Sequence, residues 1–132
     1  MQRVFTKNLS GHALNYAVIY AIMLRNNVQS QKYLAYYVDS VQRNPLKVKG
    51  DNFCSDYNLG MKLLVKEGYD FKAPREAGGD WFVSDPITCK AQHGRNLLEA
   101  GMRCFVDVYI GADVLIPEAL MSAPHEFKEE KL

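Results

Sequence analysis

The sequence lacks several things, and each lack narrows what it can be. No long apolar run is present. The longest strictly apolar stretch, "YAVIYAIML", is nine residues, where a membrane-spanning helix needs about 20. No basic segment followed by an apolar run and a small-residue cleavage site opens the chain, so the expectation is no secretory signal, no membrane partner and a cytoplasmic setting. Cysteine is scarce, three in all, at the wide spacings of Cys54, Cys89 and Cys104. An odd count without close pairs speaks for reduced thiols, and against both a disulfide framework and a zinc site built on spacings such as C-x2-C. The formal net charge is only +1, with acids and bases mixed along the chain. A dedicated nucleic-acid binder would show a basic excess on one face. Catalytic signatures are missing too: there is no G-x-S-x-G, P-loop, G-x-G-x-x-G or H-E-x-x-H. No catalytic residue, cofactor or metal is therefore assigned. A small enzyme using a Cys–His pair or a carboxylate is the minority reading.

What is present suits one folded domain. A length of 132 residues fits a single unit, and an apolar fraction of 48% can build its core. Ser10 stands where a helix cap would, before a helix expected over 11–25 in which only His12, Asn15 and Arg25 interrupt an apolar surface. A helix apolar nearly all round is buried on several sides or packs against another subunit. "QSQKYLAYYVDSVQRNP" fits a helical face through Leu34, Tyr37, Val38 and Val41, and its Tyr and Val content also fits a strand. Helix is the preferred reading, closed by Pro45. "LKVKGDN" reads as a short strand or loop ending at Gly50.

The second half has a clearer grammar. Ser55 or Asp56 can cap a helix carrying Met61, Leu64 and Val65, which Gly68 stops. "YDFKAP" and "DWFVSDP" read as strands joined through "REAGG", with "ITCKAQ" as a third and Pro86 at a bend. Asn96 and Glu99 form a capping box for the last long helix. Leu98, Gly101, Met102, Phe105 and Tyr109 make its inward face, and Gly101 permits a close backbone approach. Glu99, Arg103 and Asp107 recur every four residues, which reads as a solvated stripe of mutually supporting pairs. Gly111 ends this helix, and Pro117 starts a short helical turn at "IPEAL". The fold class expected is α+β, a small antiparallel sheet covered by helices. A single domain spans 1–122, and the polar tail 123–132 is expected to fray. The apolar surface of the first helix, with Val106 and Ile110 on the polar side of the last, leads to the expectation of a homo-oligomer.

Two helix starts could receive an anion. At "HGRN", Gly94, the cation Arg95 and the cap Asn96 combine with unpaired backbone N–H groups and the positive end of the helix dipole. At "CSDYNLG", Asp56 would suit a ribose hydroxyl, and Tyr57 or Trp81 would give a planar ligand its face. The plainer alternative is that both starts are ordinary caps and Trp81 a core residue.

These segments carry a resemblance. "LSGHALNYAV", "SDYNLGMKLLVKEG", Trp81 and "NLLEAGMRCFVDVYIGADVLIPEAL" are similar to the phage and prophage proteins of the NinX-like family of unknown function. More distantly, the chain resembles the phage alpha-beta-alpha sandwich proteins. Gly94 falls on the family's glycine, Asn96 on its hydroxyl cap, and Met102, Arg103, Cys104 and Phe105 on the centre of its pattern. The family's "STDWAQGGP" is here "CSDYNLGMK", so Tyr57 stands for Trp and the Gly-Gly-Pro element is absent. The segment from Asn26 to Asp51 is unmatched. The resemblance implies origin and fold: a phage-type accessory protein with a small antiparallel sheet covered by helices. Small proteins of that kind commonly act by stoichiometric binding, and with no catalytic signature in the chain a binding module in the host cytoplasm is the first reading. In a counter-defence role its partner would be a small anionic nucleotide-like signal or a host protein. A weak nucleic-acid binder using the Lys and Arg of "QRNPLKVKG" is a further alternative.

Overall fold

The chain begins with a strand that the sequence reading does not anticipate. The computed structural model describes residues 1–48 and 52–122, so Gly50 and the tail 123–132 lie outside the described residues. Strand β1 (Gln2–Phe5) pairs antiparallel with β5 (Asp113–Ile116), Val4 opposite Val114. A short 3-10 turn, Thr6–Asn8, follows β1. Helix α1 (Gly11–Arg25) is buried without a break from Gly11 to Ile19, which is how a helix apolar on every side must sit. Ser10 holds the cap position, though its side chain makes no capping bond. The interruptions on α1 are ties to its neighbours. Asn15 Nδ2 donates to the Tyr37 hydroxyl at 3.1 Å, and Asn15 Oδ1 accepts from the Phe53 amide at 2.8 Å. His12 Nε2 lies 2.9 Å from the Pro45 carbonyl.

Helix α2 (Gln31–Arg43) settles the ambiguous segment. The Ser30 hydroxyl caps it from the front, and Leu34, Tyr37 and Val41 form its buried stripe. Helix α3 (Tyr57–Glu67) is capped by Asp56 and stopped by Gly68 at φ 75°. Its buried face is Gly60, Leu63 and Leu64, whereas Val65, expected inside, is exposed. Strands β2 (Asp70–Lys72), β3 (Trp81–Ser84) and β4 (Ala91–Gly94) form an antiparallel sheet in that order. The third strand starts later than "ITCKAQ" predicts. The Asp85 carboxylate accepts from the Ile87 and Thr88 amides and from the Thr88 hydroxyl, and Cys89 adopts φ 65°. That local alternative to a ladder closes residues 85–90 as the β3–β4 turn.

Helix α4 (Leu97–Tyr109) lies at the centre, between the three-stranded sheet, α3 and α1, and a short α5 (Glu118–Ser122) packs on α1 and α2. The architecture is α+β, with two small antiparallel sheets where one was expected. The two apolar surfaces that suggested a second copy are covered inside the chain: α1 is enclosed, Val106 is fully buried, and Ile110 packs on the core. No helix among the described residues is long and apolar enough to cross a membrane.

Candidate functional site

Strand β4 runs directly into α4, and the residues between them set the geometry. Asn96 leaves the extended region at φ −142°, and its side chain accepts from the Glu99 amide at 2.8 Å. The Glu99 carboxylate then folds back over the helix start. It accepts from the Arg95 amide at 2.9 Å and from the Arg95 guanidinium at 3.3 and 2.9 Å. A simple capping box would return this carboxylate to the amide of the cap residue itself. Here it reaches one residue further back, where Arg95 and Arg103 hold it. The anion position predicted at this start is thus filled by the protein's own carboxylate.

Arg103 completes the arrangement from below. Its Nε donates to the Leu9 carbonyl and Nη1 to the His93 carbonyl, each at 2.8 Å, while Nη2 lies 3.5 Å from Glu99. Glu99 and Arg103 are both buried, which corrects the reading of a solvated stripe. The third member, Asp107, accepts from Gln92 Nε2 at 3.0 Å and pairs with Lys90 at 3.6 Å. The three-stranded sheet, rather than water, covers that side of α4. Burial alone would raise the Glu99 carboxyl. The hydrogen bonds from Arg95 and the charges of Arg103 and Arg95 outweigh it and hold the group below its ordinary range. Burial lowers Arg103, with Glu99 opposing.

All six predicted ligand residues come to one end of the molecule, because α3 and α4 run side by side in the same direction. Gly60 faces Leu98, and Leu64 faces Gly101 further along. The α3 start with Asp56 and Tyr57 therefore neighbours the α4 start with Arg95 and Asn96. Trp81 sits opposite Gly94 in the β3–β4 register. Most of their polar groups are already engaged. Asp56 caps α3 through the Leu59 amide at 3.2 Å. Gly94 is a packing glycine, since a Cβ there would lie 2.5 Å from the Ala100 nitrogen. Trp81 is half-buried and packs on the core. The Tyr57 ring stays open to solvent, as does much of the Arg95 side chain.

The face that sequence reasoning missed is the other side of the same sheet. Lys72, Phe82 and His93 stand in one cross-strand row. Phe82 is 49% exposed, and its ring centre lies 6.0 Å from that of His93. His93 Nδ1 is 2.9 Å from Asp80. Beside Phe82 the β2–β3 loop walls a cleft of about 300 Å³ bordered by Lys72, Arg75, Glu76 and Asp80. Neither the Lys72 ammonium nor the Arg75 guanidinium has a hydrogen-bond or ion-pair partner among the described residues. Strict alternation along "DWFVSDP" was the available signal: with Trp81 and Val83 facing inward, Phe82 must face out.

Cys89 is exposed, whereas the other two thiols lie within the fold. Burial pushes Cys54 up, with Glu99 adding and Arg103 opposing, and burial pushes Cys104 up to about 12. Both are held protonated and are poor nucleophiles. Among the described residues, no three His, Cys, Asp or Glu side chains gather as a group able to hold a metal ion. Fold and surface together define a small α+β domain whose open sheet face sets an aromatic pair beside cations. No protein-family model matches the chain, and comparison with curated proteins finds no relative.

Proposed function

We propose that this is a phage-type accessory protein that captures a small anionic, ring-bearing ligand of the nucleotide kind by stoichiometric binding in a host cell's cytoplasm. One observation carries the ligand class: the exposed Phe82 ring, with His93 across the strand, stands beside a cleft bordered by unpaired Lys72 and Arg75. An aromatic face accepts any nucleobase by stacking, worth about 1–3 kcal/mol per base. The cations beside it suit a phosphate, and Glu76 at the same rim suits a ribose hydroxyl. The ligand surface thereby moves from the α4 start, where Glu99 already neutralises Arg95, to the sheet face next to it. The NinX-like resemblance supports the phage origin. The protonated state of Cys54 and Cys104 disfavours turnover at those two thiols. The test is calorimetry with a panel of cyclic and ADP-ribose-type nucleotides on the parent, Phe82→Ala and the Lys72→Ala/Arg75→Ala pair. A nucleotide should bind the parent and bind Phe82→Ala about 5- to 150-fold more weakly, the equivalent of one lost stack. Equal binding by both variants would place the site elsewhere. A parent that binds no nucleotide overturns the ligand class and makes capture of a host protein the leading account.

A further inference from the structure

The cleft beside Phe82 limits both the size and the charge of what it can take. Its volume of about 300 Å³ is at the lower end of the range for small-molecule sites. Phe82 is the only aromatic ring among the residues that border it, so it offers a stacking face for one base. His93 flanks that ring with its plane tilted by 43° and its Nδ1 on Asp80. A second nucleotide unit would find neither a ring nor a wall among these residues. Charge sets the other limit. Lys72 and Arg75 border the cleft against Glu76 and Asp80, and Asp80 is shared with His93 at 2.9 Å. Together these five groups sum to zero when the imidazole is neutral and to one positive charge when it is protonated. The walls therefore neutralise at most one negative charge on a ligand. A further one would meet the Glu76 carboxylate at the same rim.

Resting on the nucleotide reading above, we infer that the ligand is a single nucleotide whose phosphate is a diester with one negative charge, as in a cyclic mononucleotide, in preference to a phosphate monoester, a polyphosphate or a ligand of two nucleotide units. The base lies on Phe82, the diester meets Lys72 and Arg75, and a ribose hydroxyl faces Glu76. A terminal phosphate carries close to two negative charges at neutral pH. A like-charge contact at about 4 Å in water weakens binding by a factor of about 5. The probes are adenosine, cyclic AMP, AMP, ADP-ribose and ATP, compared by calorimetry at one ionic strength. All present the same base, and stacking tolerates any base, so charge and size are what vary. Cyclic AMP should bind the parent most tightly. AMP and ADP-ribose should bind about 5-fold more weakly or worse, ATP more weakly still, and adenosine below cyclic AMP because it lacks the anion. Glu76→Gln, on an exposed loop, keeps an acceptor for the ribose and removes the charge. It should narrow the gap between cyclic AMP and AMP by about 5-fold. The inference is overturned, with the nucleotide reading left standing, if adenosine, AMP or ADP-ribose binds the parent as tightly as cyclic AMP. A gap that Glu76→Gln leaves unchanged overturns it in the same way. A parent that binds none of the five overturns the inference and the nucleotide reading together.

Discussion

Arg103 divides its guanidinium among the Leu9 carbonyl, the His93 carbonyl and the Glu99 carboxylate. It ties the segment before α1 and the end of β4 to the middle of α4. The four-residue spacing of Glu99, Arg103 and Asp107 was plain in the sequence. What covers that face was not, because a helical period fixes which residues share a side and leaves the neighbour unspecified. Arg103→Ala should accordingly cost about 3–5 kcal/mol, as breaking a buried pair does, where an exposed pair would cost less than about 1 kcal/mol. Arg103→Lys should fall between, since one ammonium cannot span both carbonyls. Urea melts decide it, and a loss below about 1 kcal/mol for the alanine variant would return Arg103 to the solvated reading. The pH dependence follows from Glu99. Its carboxyl is held below the ordinary value of 4.5 in the folded chain, so the folded state binds its proton more weakly than the unfolded state does. The stabilisation is then complete above that value and is lost as pH falls through the folded one. The stability gap between the parent and Glu99→Gln should be constant at neutral pH and close under acid. A gap that widens as pH falls contradicts the assignment.

At the scale of elements, the contact between α3 and α4 rests on small residues. A Cβ on Gly101 would collide with the Leu64 side chain, which is fully buried and has no free direction to move. The sequence reading had Gly101 as a point of close approach, and the caps Asp56 and Asn96 and the stop at Gly68 were equally legible, because each is a local event of one or two residues. Gly101→Ala pits about 1 kcal/mol of gained helix propensity against about 1–3 kcal/mol of overpacking. With Leu64 enclosed, the second should prevail, and the variant should unfold at lower urea. A more stable variant would mean that Leu64 can yield. Less legible was the start of β4, since the side-chain bonds of Asp85 that close the 85–90 turn compete with a strand that the composition of "ITCKAQ" allows. Phe82 was missed for a different reason. Trp81 is the conspicuous ring as the single tryptophan, whereas its neighbour Phe82 is the ring that the pleat turns outward.

Across the whole molecule, the segments that were not anticipated are the ones that join distant parts of the chain. The ribbon places Gln2–Phe5 against Asp113–Ile116, the Thr6 amide donates to the Ala112 carbonyl at 2.8 Å, and the Thr6 hydroxyl donates to the Gly111 carbonyl at 2.6 Å. Pairing across more than a hundred residues leaves no short-range pattern, and two four-residue strands carry too few positions for alternation to stand out. Their inward residues, Val114 and Ile116, nonetheless belong to the same core as Val83 of the three-stranded sheet and Phe105 of α4. One continuous core implies one cooperative transition. Ile116→Ala tests this at long range, because Ile116 is fully buried in the ribbon while Trp81, the only tryptophan, reports from the other sheet. The substitution should cost about 2–5 kcal/mol, as truncation of a buried isoleucine does, and it should move the tryptophan-fluorescence and circular-dichroism melts together by the same amount. If the tryptophan transition stays in place while the dichroism curve splits, the ribbon and the three-stranded sheet unfold as separate units, and the binding face around Phe82 would then hold its shape without the ribbon.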